Sequence, residues 1–382
     1  MTSKKILALS STRADYGILS KTLRAIDDSN NLELSLCVTG THLSKKHGET
    51  FHFIEEDGFN IAYKIPIFED DIDEDPVSQS MASLLTEFSK CLEELKPDLI
   101  LLLGDRYEIF AAATCGLIKR IPIAHIHGGE LSEGAFDDAL RHSITKMSHL
   151  HFTSSQEHLN RVIQLGELRE RVFNVGAPGV ELIKDLDLIS KNEIQKNTGV
   201  ELLDKNFIIT YHPETLDLNL NPKKQIENLL TALGKYKDTR LIFTQSNADP
   251  GGEEIDKEVI KFVSKNANAS LHSSLGQLNY LSILNYCDAI IGNSSSALIE
   301  APTFKLPALN IGSRQKSRMR SNNIIDSKND IQSIERALKE LTAFKRDSIL
   351  NPFDGGKTSL KIVEVLENVN LKDILKKKFN DL

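Results

Sequence analysis

The chain has 382 residues, with 46 Lys+Arg against 54 Asp+Glu and a formal net charge of −8. That length suits roughly two domains of about 150 residues and can bury large cores without disulfides or structural metals. The acidic balance argues against a nucleic-acid partner held by phosphate neutralisation, and no apolar run reaches the ~20 residues of a membrane span.

The opening MTSKKILALSSTRADYG turns polar too soon for a secretory leader. Cys37, Cys91, Cys115 and Cys287 form no CxxC pair and lie in apolar segments. Reduced core cysteines and a cytoplasmic setting are expected.

From the N-terminus, β-like runs alternate with helical spacing. Lys5–Ser10, Leu32–Val38, Asp98–Leu103, Ile121–His127 and His149–Thr153 read as strands, and Tyr16–Ser29, Val77–Leu95 and Tyr107–Lys119 as helices. Near-continuous apolar strands such as LILLL point to a parallel sheet covered on both faces. After Gly176 the rhythm restarts. Asn206–Tyr211, Leu241–Gln245, Ala289–Ile291 and Ala308–Ile311 are the next strands, and Gln225–Gly234, Glu253–Lys265 and Gly276–Asn285 the helices between them. The expected class is α/β, with two Rossmann-like domains, 1–175 and 176–361. Ser190–Asn206 is a second, weaker place for the joint. The tail LKDILKKKFNDL reads as an amphipathic basic helix packing on the body.

In such sheets, ligands bind beyond the carboxyl ends of strands. The first strand runs into SSTRADYG, where Arg13 and backbone N–H groups can receive a phosphate, or the hydroxyls can simply cap the next helix. LILLL ends in Gly104-Asp105-Arg106. The next strand ends in HIHGGE, and alternation places His125 and His127 on one face. Two HxH pairs, there and at His149/His151, lack the further ligands a metal needs. FDDALRH, with Asp137, opens a helix. In the second half, His212 follows a strand, and Gly292-Asn-Ser294-Ser295 leads from a strand into a helix, with Glu300 about two turns along it. This is an anion cradle. Arg314 follows the next strand. Gly355-Gly-Lys-Thr358 lacks the earlier glycine and the strand of a P-loop, and no GxGxxG follows a strand. The residues expected to face each other across a cleft are therefore acid–base groups on one wall and an anion cradle on the other.

The ordered set SSTRADYG, VTGTHLSKKHG, LGDRYEIF, HIHGGE, FDDALRHSITKMSHLHFTS, VGAPG, YHPET, SNAD, IGNSSSALIE, NIGSRQKSR and NPF–GGKTS resembles the UDP-N-acetylglucosamine 2-epimerase superfamily. It is most similar to the hydrolysing branch that makes N-acetylmannosamine for sialic acid synthesis. A sister activity hydrolyses UDP-N,N′-diacetylbacillosamine towards legionaminic acid. A glycosyltransferase of the same shape is a more distant alternative. The resemblance implies a GT-B fold, a final helix (about 362–382) returning to the first domain, a homodimer, a UDP-sugar substrate and no nicotinamide or obligatory metal. It also implies roles. Asp105, Asp137 and His127 serve proton transfer, with His127 standing where many members carry glutamate. His212, Arg13 and the Ser294–Ser295 turn at Gly292 meet the diphosphate. Glu300 holds the ribose, and Arg106, Glu130 and Arg314 line the substrate site.

Overall fold

The computed structural model describes residues 3–67, 77–132, 136–213, 221–246, 251–316 and 318–381. The last two residues of YHPET, the last three of SNAD and Ser317 lie outside them. The chain divides into two compact units, Met1–Leu182 with Phe353–Leu382, and Ile183–Pro352.

The first unit holds β1 (Lys4–Ser10), β2 (Leu32–Thr39), β3 (Ile61–Ile65), β4 (Leu99–Leu103), β5 (Ile123–Ile126), β6 (Leu150–Thr153) and β7 (Val172–Asn174). They form one parallel sheet in the order β3-β2-β1-β4-β5-β6-β7. Alternation along β1 and β4 feeds two cores. Ile6, Ala8, Leu99, Leu101 and Leu103 face Leu19 and Leu23 of helix Arg13–Asp27. Leu7, Leu9, Ile100 and Leu102 face Leu84 and Phe88 of helix Val77–Leu95. Burial on both faces is why these strands read as unbroken apolar runs.

The second unit repeats the plan with β8 (Asn206–Thr210), β9 (Arg240–Thr244), β10 (Ala269–His272), β11 (Ala289–Gly292), β12 (Ala308–Ile311) and β13 (Ile324–Ser327). Its parallel order is β10-β9-β8-β11-β12-β13. Phe207 and Ile209 enter one core and Ile208 the other.

Sequence reading placed the joint at 175/176 and the return near 362. Contacts assign Gly176–Leu182 and Phe353–Lys361 to the first unit as well. The reason is local. Ala177 N–H donates to the Phe353 carbonyl at 2.8 Å, Thr358 Oγ1 donates to the Val175 carbonyl at 2.9 Å, and Ser359 donates twice to Glu181. The motifs VGAPG and GGKTS thus fasten the returning chain. Helix Thr358–Asn368 then packs Ile362, Val363 and Leu366 into the core that contains Leu19 and Leu23. The tail after it is not the expected helix: Leu371–Asp381 is turns and irregular chain. Its groups bond to the body instead, with Asn380 N–H donating to the Gly166 carbonyl and Lys377 Nζ to the carbonyls of Lys146 and Ser148. All four cysteines are buried and free. No helix among the described residues is long and apolar enough to cross a membrane.

Candidate active site

In each sheet the strand order reverses direction beside a central strand, between β1 and β4 and between β8 and β11. Loops leaving neighbouring strands there diverge to opposite faces and open a crevice at the carboxyl ends. Arg13 follows β1, Asp105 and Arg106 follow β4, and His127 and Glu130 follow β5. His212 follows β8, Ser294 and Ser295 follow β11, and Arg314 follows β12.

In the first unit, Arg141 Nη2 donates to Oδ2 of Asp105 and, at 3.0 Å, to Ser132 Oγ. Helix Asp137–Met147 carries both Asp137 and, one turn on, Arg141. Burial pushes the Asp105 carboxyl above its ordinary range, opposed by Arg141 and assisted by Asp137 and Glu130. Asp137 is thus among the charges acting on Asp105.

His127 falls just past β5 with φ 68°, a left-handed backbone unusual for a residue with a β-carbon. It is therefore not on the strand face beside His125, as alternation suggested. Its Nδ1 pairs with Glu130 Oε1 at 2.6 Å. Burial opposes the imidazolium, but Glu130 outweighs it and raises the His127 pKa. His125 has a different task. Its Nε2 donates to the Gly104 carbonyl at 2.8 Å and Thr145 Oγ1 donates to its Nδ1 at 3.3 Å. Burial lowers its pKa to about 3, so it is a neutral brace under the Asp105 loop.

Arg106 forks onto buried Glu108 with bonds of 3.1 and 2.8 Å. Arg13 is exposed and its guanidinium lies 4.5 Å from the Phe53 ring centroid. Behind it, Thr12 and Asp15 form a capping box, and Asp15 accepts from Ser11 N–H, Ser11 Oγ and Thr12 N–H. The Ser11 and Thr12 hydroxyls therefore serve the helix start, while Ser10 Oγ meets His42 Nε2 at 2.9 Å.

In the second unit, Asn293 joins the pieces. Its Oδ1 accepts from His212 N–H at 2.7 Å and its Nδ2 donates to the His212 carbonyl at 2.8 Å. Its carbonyl accepts from Gln315 Nε2 at 2.8 Å and Arg314 Nη1 at 3.4 Å. Gly292 makes this possible: a β-carbon there would lie 1.9 Å from the Thr210 carbonyl oxygen, at φ 131°. The helix that follows is a single turn, Ser296–Ile299, and Glu300 closes it rather than standing two turns along. Pro302 blocks a continuing α-helix. Tyr280 Oη donates to Ser296 Oγ at 2.7 Å, and burial raises the Glu300 carboxyl above its usual range. Glu300 Oε2 is buried with no hydrogen-bond partner among the described residues.

The expected residues thus fall into two sets, Arg13, Arg106, Asp105, His127, Glu130 and Asp137 in one unit and His212, Gly292, Ser294, Ser295, Glu300 and Arg314 in the other. Sequence reading missed Arg141, Asn293, Gln315 and Tyr280. Only Arg141 left a signal, its one-turn spacing from Asp137 on an acidic helix start. The first set offers two tunable proton carriers, a carboxyl and an imidazole, each with its own counter-charge. The second offers backbone and cationic donors with one unsatisfied carboxylate oxygen.

A family profile described as UDP-N-acetylglucosamine 2-epimerase matches residues 24–367. The chain is 42% identical to a GDP/UDP-N,N′-diacetylbacillosamine 2-epimerase (hydrolyzing) of Campylobacter jejuni, covering 100% of both chains. It is 37% identical to the polysialic acid biosynthesis protein P7 of Escherichia coli, covering 99% of this chain and 96% of that one. It is 33% identical to a UDP-N,N′-diacetylbacillosamine 2-epimerase (hydrolyzing) of Legionella pneumophila, over 99% of each. In fold it matches the crystal structure of UDP-GlcNAc 2-epimerase from Neisseria meningitidis bound to UDP-GlcNAc, with TM-score 0.76 and 18% identity over 95% of this chain and 99% of that one. With the profile spanning most of its length, the chain belongs to the UDP-N-acetylglucosamine 2-epimerase family.

Proposed function

We propose that the protein is a hydrolysing 2-epimerase that converts UDP-N-acetylglucosamine and water to N-acetylmannosamine and UDP. The observation that carries this reading is the pair of proton carriers, Asp105 with Arg141 and His127 with Glu130, past the adjacent strands β4 and β5. Inversion at a carbon bearing hydrogen needs one group to take a proton and another to return it from the opposite face.

The hydrogen on C2 of the hexose is not acidic by itself. Elimination couples its removal to loss of the diphosphate. The C2–H bond breaks to a base, its electron pair forms the C1–C2 double bond, and the C1–O pair leaves with UDP. Water then adds to C1 as a proton returns to C2. The sum is hydrolysis with inversion and needs no nicotinamide. Asp105, His127 and Asp137 serve the proton transfers. Arg13, His212 and the Ser294–Ser295 turn stabilise the departing diphosphate, and Arg106 and Arg314 line the substrate site. Glu300 accepts from ribose hydroxyls.

A second reading differs only in the sugar. UDP-N,N′-diacetylbacillosamine is favoured by the relatives at 42% and 33% identity, whose names carry it. Incubation with each UDP-sugar in D₂O, followed by NMR of the free sugar, decides between them. The first reading expects N-acetylmannosamine with deuterium at C2. Full retention of the C2 proton rejects elimination, and turnover of the diacetamido sugar alone selects the second reading.

A further inference from the structure

We propose that Glu130 is a positioning residue which, with Ser154 and His158 behind it, fixes His127 so that Nε2 is the proton-transferring atom of the site. This rests on the epimerase reading and replaces substrate contact as the role of Glu130.

The geometry is a chain of four side chains. His127 Nδ1 meets Glu130 Oε1 at 2.6 Å. The same oxygen accepts from Ser154 Oγ at 2.6 Å, and Ser154 Oγ meets His158 Nδ1 at 2.8 Å. His158 stacks on Phe353 with ring centroids 6.0 Å apart and planes 28° from parallel. His127 Nε2 is buried and has no hydrogen-bond partner among the described residues. One imidazole nitrogen is thus fully engaged and the other is left over.

The backbone is built to hold this arrangement. His127 takes the left-handed conformation, at a cost of order 1 kcal/mol, while its N–H donates to the Phe152 carbonyl at 3.0 Å. Gly129 has φ 81°, and a β-carbon there would lie 2.4 Å from the His158 carbonyl oxygen. Arg161 Nη1 donates to the Gly129 carbonyl at 2.5 Å. Strain held by so many contacts marks a site where orientation matters.

Protonation follows from the bonds. Burial keeps His158 neutral, so its Nδ1–H donates to Ser154, and Ser154 donates to Glu130. Burial alone would raise Glu130, but the charge and hydrogen bond of His127, with the Ser154 hydroxyl, hold it well below the carboxylate range. An ionised Glu130 keeps the proton on His127 Nδ1. The other groups acting on the imidazole are Asp105, which favours its charged form, Arg141, which opposes it, and neutral His125.

The test is ¹⁵N–¹H NMR of histidine-labelled, ligand-free protein, with pH–rate profiles on whichever UDP-sugar is turned over. Wild type should show His127 protonated at Nδ1 and titrating above the usual imidazole range. Glu130→Gln should titrate lower, with the matching limb of kcat against pH moving the same way. Its kcat should fall about tenfold or more, with KM within about twofold. Ser154→Ala should move both readouts less in the same direction, and Glu130→Asp should restore part of the shift. An unmoved His127 titration in Glu130→Gln, or in Ser154→Ala and Glu130→Asp if the Gln protein does not fold, overturns the proposal. So does a raised KM at unchanged kcat. The NMR arm needs no substrate, so absence of turnover on both UDP-sugars rejects the epimerase reading while the tautomer result stands.

Discussion

Arg141 grips Asp105 from Nη2, and only 7% of the arginine side chain and 23% of the aspartate reach solvent. The guanidinium counters the burial that raises the Asp105 carboxyl. Asp105→Asn should fold and lose about 10² or more in turnover, the reach of a lost acid–base group. Arg141→Ala should raise the Asp105 pKa further, so the acid limb of kcat/KM against pH moves to higher pH, and Arg141→Lys should move it less. An Asp105→Asn enzyme with near-normal turnover removes Asp105 from the chemistry.

Glu300 combines a raised carboxyl pKa with a buried oxygen that has no hydrogen-bond partner among the described residues. A carboxyl raised on folding contributes stability that is full below its unfolded pKa and lost as pH rises through the folded value. Glu300→Gln should therefore gain stability relative to wild type between pH 4 and pH 7 in the absence of ligand. If the oxygen serves ribose hydroxyls, Glu300→Ala should weaken UDP by about 1–3 kcal/mol, whereas His127→Ala should leave UDP affinity nearly unchanged. Thermal melts at the two pH values and calorimetric titration of UDP check both halves. The reverse pattern of UDP affinities refutes the assignment.

Gly292 lies against Thr210 with no room for a β-carbon, and Asn293 beside it holds His212 at both backbone groups. Gly292→Ala has to displace the strand β8 backbone or abandon φ 131°. It should destabilise the second unit by upwards of about 2 kcal/mol and loosen the His212 loop. Urea unfolding and UDP titration measure the two effects, and a variant of unchanged stability contradicts the packing argument.

Most of the nine legible strands show because burial on both faces makes them near-continuous apolar runs, although β2 (LELSLCVT) has an exposed Glu33 and half-buried residues near its start. Among the described residues, the four unread strands, β3, β7, β10 and β13, are the outer strands of the two sheets. β3 alternates half-buried and exposed residues, and β7 has only three residues. An edge strand lacks the neighbour that would demand such a run. Asp105 and His212 could be placed from sequence because each closes an apolar strand. The groups behind Glu130 could not, since Ser154 reaches it, with His158 behind, through pairing of β5 with β6. The length of the helix before Glu300 depended on Pro302, whose effect on the preceding turn apolar spacing does not report.

Lys377 tests whether the irregular tail is structural. Glu167 is 1% exposed and faces Lys146 Nζ at 2.6 Å, Lys377 Nζ at 2.7 Å and His151 Nε2 at 3.0 Å. Burial is the largest influence and pushes Glu167 up, but bonds from His151, Lys146 and Lys377 together hold it down to about 2. A carboxyl depressed on folding contributes stability that is present above its unfolded pKa and lost as pH falls through the folded value. The window here runs from about 4.5 down to about 2. Lys377→Met removes one cation and leaves a buried carboxylate under-compensated. The expected loss near neutral pH is about 3 kcal/mol, the low end for a broken buried pair, because Lys146 and His151 remain. Glu167 in the variant protonates at higher pH, so the gap between the two proteins should shrink as pH falls from 5 towards 2. Urea unfolding across that range measures the gap. A difference that stays constant down to pH 2 shows that Lys377 acts through packing of its stem and not through the charge of Glu167.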